Sequence, residues 1–146
     1  MDTDFCEVCG LQGQQSQNAG QHVRVTCQRC GTFEWEPGAP QAMPVTNSRR
    51  VKLSAFVREQ NTAGITPFLH AEMVRQVERQ AMPRLRDRAL RALAAMVQEV
   101  GYDLSSTFPI SDKPRVHAVS YSADDEELSV LLEILDRSFH CGRGVL

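Results

Sequence analysis

The sequence has little of several features that define large protein classes. Aromatic residues make up 6% of its 146 residues, with a single Trp, and no apolar run approaches the roughly 20 residues that a membrane-spanning helix requires. The mean hydropathy of -0.32 agrees with this. The first residues, Met1 to Phe5, lack the positive flank and the apolar stretch of a secretory signal. We therefore expect a protein of the reducing cytoplasm that does not enter the membrane.

Two common nucleotide-binding motifs are also missing. The chain contains no G-x-x-x-x-G-K phosphate loop and no G-x-G-x-x-G dinucleotide motif. Its length and its hydrophobic share of 42% favour one globular domain or two small ones. Nucleotide-dependent chemistry therefore has no support, and the sequence identifies no small-molecule substrate.

Lysine is scarce, with only Lys52 and Lys113 beside 14 arginines. The net charge of -2 conceals three blocks of different sign. Residues 1–47 carry two basic and five acidic groups, residues 48–91 carry ten and four, and residues 92–146 carry four and nine. A basic middle and an acidic end can pair with each other, either within one chain or between chains.

The cysteines carry the strongest chemical signal. In a reducing compartment they are more naturally metal ligands than disulfide partners. The sequence contains two C-x2-C pairs, each followed by Gly. Between the second cysteine of one pair and the first cysteine of the next lie 17 residues, 10–26. Two intervening residues let one turn aim both sulfurs at a common point, and Gly permits the positive φ of such a turn. Four sulfurs complete the tetrahedral coordination of Zn²⁺, so the predicted zinc is structural and not catalytic. The predicted ligands are Cys6, Cys9, Cys27 and Cys30.

Other interpretations of the cysteines stay open. The pairs can instead be free thiols, a redox-active pair or the ligands of an iron–sulfur cluster. The redox interpretation lacks the βαβ pattern that would surround such a pair. His22 is redundant beside four sulfurs and is expected on a strand surface. Cys141 has no partner at ligand spacing and is excluded.

Alternating residues flank the second cysteine pair. Residues 22–26 and 32–36 predict two paired strands, and the polar residues 12–21 predict a solvated loop. Through both C-x2-C-G turns and the strand after the second, residues 1–36 resemble the zinc-ribbon family. A module of this size buries little apolar surface, so metal ligation must supply much of its folding free energy.

A change of periodicity divides the chain after residue 36. Residues 37–47 hold three prolines and predict a linker, and residues 48–146 predict a mainly helical domain, so the fold class is α+β. Helices are expected at 48–60, with Asn47 or Ser48 as cap, at 67–82 after a Thr66-Pro67 start, and at 84–100. The second of these is expected to bury Leu69, Met73, Val77 and Ala81.

The C-terminal part of the helical domain is predicted in more detail. The helix at 84–100 should end at Gly101 and bury a stripe of Ala89, Leu90, Leu93, Met96, Val97 and Val100. Residues 116–121 predict a short strand. Ser122 or Asp124 should cap a last helix, with four acidic residues at its start and a buried side of Leu128, Leu131, Leu132, Leu135 and Phe139. A strand followed by a helix suits a winged-helix-like arrangement that lacks its wing.

A second resemblance covers most of the chain. After the two cysteine turns come residues 51–61, then Gly64-Ile65-Thr66-Pro67, then residues 125–132. This order resembles the ribbon-plus-helices region attached to larger effector-bearing proteins of bacteria, some of them linked to defence against phage. The resemblance implies an accessory role in sensing or scaffolding, with any effector outside these residues and no catalytic residue to carry over.

Three functions compete. The first is a non-enzymatic module for protein interaction, assembly or regulation that binds a protein partner or a second copy. The second is nucleic-acid binding, in which neutralising about six phosphates would give a slope near -5 for log affinity against log salt. Its candidate residues are Arg75, Arg79, Arg84, Arg86, Arg88 and Arg91. The third is an enzyme that uses His70 with Glu72, or His117 with Asp124, but no nucleophile or open metal position accompanies them.

Overall fold

A computed structural model describes residues 5–12, 15–36, 46–100 and 114–141. A four-stranded sheet, three of whose strands lie at the N-terminus, is followed by a mainly helical region, which confirms the α+β fold class. The strands are β1 (Gln15–Ala19), β2 (His22–Cys27), β3 (Gly31–Trp35) and β4 (Phe68–Leu69). The helices are α1 (Asn47–Thr62), α2 (Ala71–Arg79), α3 (Leu85–Val100), α4 (Pro114–Val119) and α5 (Asp125–Cys141). Within the described ranges, no helix has both the length and the apolarity needed to cross a membrane.

The four strands lie in the order β1-β2-β3-β4, with β4 parallel to β3 and the other neighbours antiparallel. The two strands predicted on either side of the second cysteine pair are confirmed as β2 and β3. Val25 pairs with Phe33, and both are buried, whereas their neighbours Arg24 and Thr26 are exposed. One face of the sheet is therefore packed and the other is solvated, which is the origin of the alternation in the sequence.

The loop predicted over residues 12–21 is wrong, because five of its ten residues, Gln15–Ala19, form β1. A two-residue turn with Gly20 first, at φ +74°, returns the chain into β2. Ser16, Gln17 and Asn18 are exposed, so this edge strand is held by backbone pairing with β2. Because the described side chains of β1, at residues 16–18, are all exposed and polar, this part of the strand shows no hydrophobic alternation in the sequence.

The covered face of the sheet and the first two helices share one hydrophobic core. Phe33 is 1% exposed and packs in a cluster with Leu53 and Val57 of α1 and Val74 and Val77 of α2. Full burial of each such side chain stabilises the fold by about 1.5–3 kcal/mol. The predicted linker at 37–47 lies mostly outside the described residues, and the domain boundary placed there stays a prediction.

Helix α1 begins and ends within two residues of its prediction. Thr46 is the N-cap, and its Oγ1 accepts a hydrogen bond from Arg49 N at 3.2 Å, so the cap precedes the predicted Asn47 or Ser48. Gly64, at φ +78°, follows the last turn. The helix buries Ala55 and Val57, and Phe56 is partly buried against the same core cluster as Val57.

The predicted helix start at Thr66-Pro67 is wrong. Phe68–Leu69 forms β4, where Glu34 N donates to Pro67 O at 2.8 Å and Glu36 N donates to Leu69 O at 3.3 Å. The free edge of β3 needs hydrogen-bond acceptors, and β4 provides them. Helix α2 therefore starts later, with His70 as its N-cap, and ends at Arg79. Of the residues predicted to be buried, Leu69 and Val77 are buried, Met73 is half-buried and Ala81 is exposed.

The stripe predicted for α3 is only partly correct. Ala89 is buried and Met96 is half-buried, but Leu90, Leu93 and Val97 are 43%, 37% and 37% exposed. The buried face instead carries Ala89, Ala92 and Ala95, which pack against α5 and α4. Small alanines let the neighbouring helices approach closely, so the larger side chains point to the other side. The side chain of Val100 and the predicted stop at Gly101 lie outside the described residues.

The strand predicted at 116–121 is wrong, because Pro114–Val119 forms α4. Consecutive residues Val116, His117 and Ala118 are all buried, so no face of this segment is solvated as an alternating strand would require. The strand that would lead into a wing is therefore a helix. Helix α5 follows as predicted, with Asp124 as its cap: Asp124 Oδ1 accepts from Glu127 N at 2.9 Å.

The buried side predicted for α5 is confirmed where it is described. Leu128, Leu131 and Leu135 are buried and Leu132 is partly buried. The side chain of Phe139 lies outside the described residues. The acidic residues of the first turn stand where the helix dipole favours negative charge, as expected.

Candidate metal centre

The first cysteine pair sits on a tight turn just before β1. Gly10 N donates to Cys6 O at 2.6 Å, and Cys6 N donates to Leu11 O at 2.8 Å. Gly10 adopts φ +75°, a left-handed conformation that L side chains rarely adopt. The Gly after the pair therefore closes the turn, as the sequence predicted.

The second pair sits on the turn that joins β2 to β3. Cys27 ends β2 and pairs with Gly31 at the start of β3. Gly31 has φ +94°, and a Cβ built on it would lie 2.1 Å from Asn61 Oδ1 of α1. Asn61 Oδ1 accepts from Thr32 N at 2.7 Å, and Asn61 Nδ2 donates to Thr32 O at 2.8 Å. The turn is thus fitted closely against the end of α1.

The two turns bring the four sulfur atoms within 4.8 Å of one another. Cys6 Sγ lies 3.9 Å from Cys30 Sγ, and Cys9 Sγ lies 3.5 Å from Cys27 Sγ. A tetrahedral ion with Zn–S bonds of about 2.3 Å places its sulfurs about 3.8 Å apart. A disulfide would require an S–S distance of about 2.0 Å, and these four cysteines are free. The geometry therefore fits a four-coordinate metal ion and not a pair of disulfides.

The centre is shielded from water. Cys6, Cys27 and Cys30 are buried and Cys9 is half-buried. Ser54 of α1 places its Oγ 3.3 Å from Cys30 Sγ, within hydrogen-bond distance. A site whose four positions are sulfurs, and which the core covers on one side, has no place for a reacting water.

The thiols strongly influence one another. Hydrogen bonding with Cys30 holds the pKa of Cys27 well below its ordinary value, whereas hydrogen bonding with Cys27 raises the pKa of Cys6 and Cys30, which burial raises further. Four thiolates therefore do not accumulate at this spacing without a compensating positive charge. A bound cation supplies that charge and deprotonates its sulfur ligands outright.

Two arginines form hydrogen bonds at the second turn: Arg58 binds its backbone, and Arg29 extends from it. Arg58 of α1 donates from Nε to Arg29 O at 2.7 Å and from Nη2 to Gln28 O, so it binds both carbonyls between the two cysteines. The side chain of Arg29 reaches away from the sheet towards the turn between α4 and α5. Sequence reasoning missed Arg58, Asn61 and Ser54, because each lies 24 to 30 residues from its partner and no local pattern marks them.

The three histidines whose side chains are described, His22, His70 and His117, are not part of the four-cysteine cluster. His22 is half-buried, and its ring packs edge-on against that of Phe68 with centroids 4.5 Å apart. It is therefore less exposed than the position on a strand surface that the sequence predicted. His70 Nδ1 accepts from Met73 N at 3.4 Å as a helix cap. His117 Nε2 lies 2.8 Å from Asp125 Oδ1 and does not pair with Asp124. The side chain of Cys141 lies outside the described residues.

The six arginines proposed for nucleic-acid binding are not one surface. Arg88 is 6% exposed and donates from Nε to Ser120 O at 3.0 Å, so it is part of the interior. Arg75 pairs with Glu72 at 3.3 Å, and Arg91 lies over the ring of Tyr121, 5.6 Å from its centroid. The three others are exposed and form no ion pair with the described residues: Arg79, Arg84 and Arg86.

Fold and site together define a small β-sheet with four clustered cysteines that could hold a metal ion, consistent with a zinc-ribbon-like centre. No protein-family model, curated protein or solved structure matches the chain.

Proposed function

We propose that the four cysteines bind one Zn²⁺ that stabilises the fold and takes no part in a reaction. The observation that carries this proposal is the clustering of four free sulfurs within 4.8 Å of one another. Sulfur is a preferred donor for zinc, and four of them in tetrahedral array leave no open position. When bound, the ion supplies charge neutralisation and cross-links the two turns. The protein residues supply the ligands, the shielding core and the hydrogen bonds that fix the second turn.

Metal analysis combined with cobalt substitution tests this proposal. Purified protein should contain about one zinc per chain, and the Co²⁺ form should show the absorption of a tetrahedral thiolate site. Cys30→Ser should lose stoichiometric metal, whereas Cys141→Ser, the matched cysteine control, should retain it. Bound iron with visible charge-transfer bands would support the cluster alternative, and absence of any metal from a folded chain would refute the proposal.

We also propose that the protein is a non-enzymatic interaction module, and that a second copy of the chain is its partner. The α3 face that packing leaves uncovered carries Arg86, Leu90, Leu93 and Val97, spaced at i, i+4, i+7 and i+11. Each of the three apolar residues is more than a third exposed. Successive positions of this spacing share one side of a helix and form a continuous apolar stripe.

A complementary face lies on α5. Glu126, Val130 and Glu133 are exposed and share a side at i, i+4 and i+7, and Val130 is 50% exposed. An apolar stripe that begins at Arg86 can therefore pack against Val130 of another copy with Arg86 beside Glu126, whereas Glu133 pairs with Arg137 of its own helix. This arrangement pairs the basic middle of one chain with the acidic end of the next.

Light scattering with size exclusion over a range of concentrations tests self-association. Wild type should form dimers or larger species, and Leu90→Glu on α3 or Val130→Glu on α5 should each return the protein to monomers. Ile65→Glu, which changes another apolar residue that is 52% exposed, is the matched control and should behave as wild type. A wild type that stays monomeric at all concentrations refutes self-association.

The residues considered for catalysis support the non-enzymatic proposal. His70 caps a helix with Nδ1, and His117 is buried against Asp125. A groove of about 390 Å³ lies beside the second cysteine turn, and its lining residues include neither histidine nor a carboxylate. We therefore assign these histidines structural roles.

Nucleic-acid binding is the second candidate, and the exposure of Arg79, Arg84 and Arg86 favours it. With three phosphate contacts in place of six, the slope of log affinity against log salt should be about -3. Titration of labelled duplex and single-stranded DNA at two salt concentrations measures this slope. Replacing the three arginines together with Glu should abolish binding, and persistent binding would exclude this surface.

A further inference from the structure

The turn between α4 and α5 is built around the carbonyls of four consecutive residues, 120–123. Arg88 of α3 holds the first two: its Nε donates to Ser120 O at 3.0 Å, and its Nη2 donates to Tyr121 O at 2.7 Å. The same Nη2 also contacts Glu127 Oε1 of α5. A single buried guanidinium thus joins α3, the turn and α5.

Arg29 holds the other two carbonyls. Its Nη1 donates to Ala123 O at 3.0 Å and its Nη2 donates to Ser122 O. Arg29 lies between Cys27 and Cys30, so it belongs to the second cysteine turn and crosses 93 to 94 residues of sequence to reach its acceptors. Hydrogen bonds from a charged donor are about twice as strong as neutral ones. The metal centre is therefore connected directly to the start of α5.

The turn needs this support because its backbone is strained. Tyr121 has φ +56°, in the left-handed region, where a bulky aromatic residue is rare. Such a conformation persists only when the surroundings over-determine it. Ser120 and Ser122 on either side are fully buried, with their hydroxyls 2.7 Å apart.

The position of Arg29 depends on the shape of the cysteine turn. Arg58 binds the backbone carbonyls of Gln28 and Arg29, which fixes the peptide that carries the Arg29 side chain. Cys27 and Cys30 hold the two ends of the same short segment. A metal ion that gathers both sulfurs keeps this segment in one conformation, and loss of the ion releases its ends.

We propose that the metal centre controls the conformation of the α4–α5 turn through Arg29, so that the start of α5 is ordered when the metal is bound and loosened when it is removed. This inference rests on the proposed zinc site. Because α5 also carries Glu126 and Val130, the same contact gives the proposed interaction face a dependence on metal. Among the described residues, Arg29 is the one between the ligands of the second turn whose side chain bonds to the α4–α5 turn.

Hydrogen exchange measured by mass spectrometry on the full chain tests the coupling. The reporters are the amides of residues 120–128, several of which bond within the turn: Ser122 N donates to His117 O, and Leu128 N donates to Asp124 O. Zinc-loaded Arg29→Ala keeps all four ligands and should exchange roughly tenfold faster there than wild type, equivalent to ~1.4 kcal/mol. Arg29→Lys retains the charge but not the forked donor, and should lose most of the same protection.

The matched control is Arg24→Ala, which removes an exposed arginine paired with Glu34 at 2.7 Å within the same sheet. It should leave exchange at residues 120–128 unchanged. Removing zinc from wild type with a chelator should reproduce the faster exchange of Arg29→Ala in this segment. After chelation, wild type and Arg29→Ala should no longer differ.

The outcomes separate this inference from the function on which it rests. If wild type binds no zinc, the proposed zinc site fails. If zinc binds with unit stoichiometry to both variants and zinc-loaded Arg29→Ala protects residues 120–128 as well as Arg24→Ala does, the site stands and the coupling is refuted. The zinc-loaded comparison can refute the coupling even where chelation unfolds the whole chain, and the chelation comparison then tests its dependence on the metal.

Discussion

Gly31 is the point at which the second cysteine turn and α1 approach most closely, and Gly31→Ala tests how much stability depends on that fit. The new Cβ would stand 2.1 Å from Asn61 Oδ1, far inside van der Waals contact. Asn61 would have to move, although its amide bonds to both Thr32 N and Thr32 O. The substitution therefore adds backbone strain and breaks hydrogen bonds at the metal turn.

The magnitude follows from these two contributions. A non-Gly residue in the left-handed region costs about 1–2 kcal/mol, and φ at Gly31 is +94°. Losing two hydrogen bonds of about 0.5–1.5 kcal/mol each adds about 1–3 kcal/mol. We expect the free energy of unfolding of the zinc-loaded protein to fall by about 2–5 kcal/mol.

Urea unfolding followed by circular dichroism measures this change. Gly20→Ala is the matched control, because Gly20 has φ +74° but its Cβ would meet nothing within 4 Å. It should cost only the backbone contribution of about 1–2 kcal/mol. Asn61→Ala should make Gly31→Ala less damaging, since it removes the clashing oxygen. Equal losses for Gly31→Ala and Gly20→Ala would refute the reasoning.

Three further predictions concern other parts of the chain. Burial, and secondarily Arg29, lowers the pKa of His117 below its usual 6.5 despite the nearby Asp125. The unfolded chain therefore binds a proton at this histidine more tightly than the folded chain does. The contribution of neutral His117 to stability is full above about pH 6.5 and falls as the pH drops below that value. Unfolding midpoints at pH 7.5 and 5.5, compared with those of His117→Gln, should show the difference, and identical pH profiles would contradict it. Arg88→Ala should cost about 2–4 kcal/mol, since it leaves the carbonyls of Ser120 and Tyr121 without their donor; a thermal-melt loss near zero would show that the guanidinium is dispensable. Thr46→Ala should cost about 1 kcal/mol by removing the cap bond to the first turn of α1, and an unchanged urea midpoint would contradict that role.

The parts of the fold predicted correctly are those whose physical cause lies within a few residues. The spacing within each cysteine pair and the Gly after it determine one turn, so Cys6 with Cys9 and Cys27 with Cys30 are recognisable in isolation. The alternation around Val25 and Phe33 reflects a sheet covered on one face. The starts of α1 and α5 likewise depend on local geometry, and the predicted caps are correct to within two residues.

The errors fall where a distant partner decides the conformation. Strand β4 forms because the edge of β3 offers unpaired hydrogen-bonding groups. No residue near Phe68 in the sequence indicates that this edge will lie beside it. Strand β1 pairs with β2, and its described side chains, at residues 16–18, are polar and exposed. Helix α4 packs against both α1 and α3. Consecutive residues of this helix are therefore buried, and its sequence shows no hydrophobic periodicity.

Helix α3 shows how packing chooses between two apolar faces of one helix. Its sequence offers a stripe of leucines and another of alanines, and hydrophobicity favours the leucines. The structure buries Ala92 and Ala95 because close approach to α5 requires small side chains, and it leaves Leu90 and Leu93 exposed. Arg88 joins the buried side because its guanidinium finds backbone acceptors there.

The sequence alone predicted two cysteine turns with the ligands for one metal ion, because the spacing and the Gly of each C-x2-C-G motif are local features. Only the tertiary structure decided what surrounds that ion. Arg58 and Asn61 clamp the second turn from α1, and Arg29 extends from it to the start of α5. Hydrogen bonds between residues far apart in the chain depend on where the whole backbone lies, and no local pattern of residues records that.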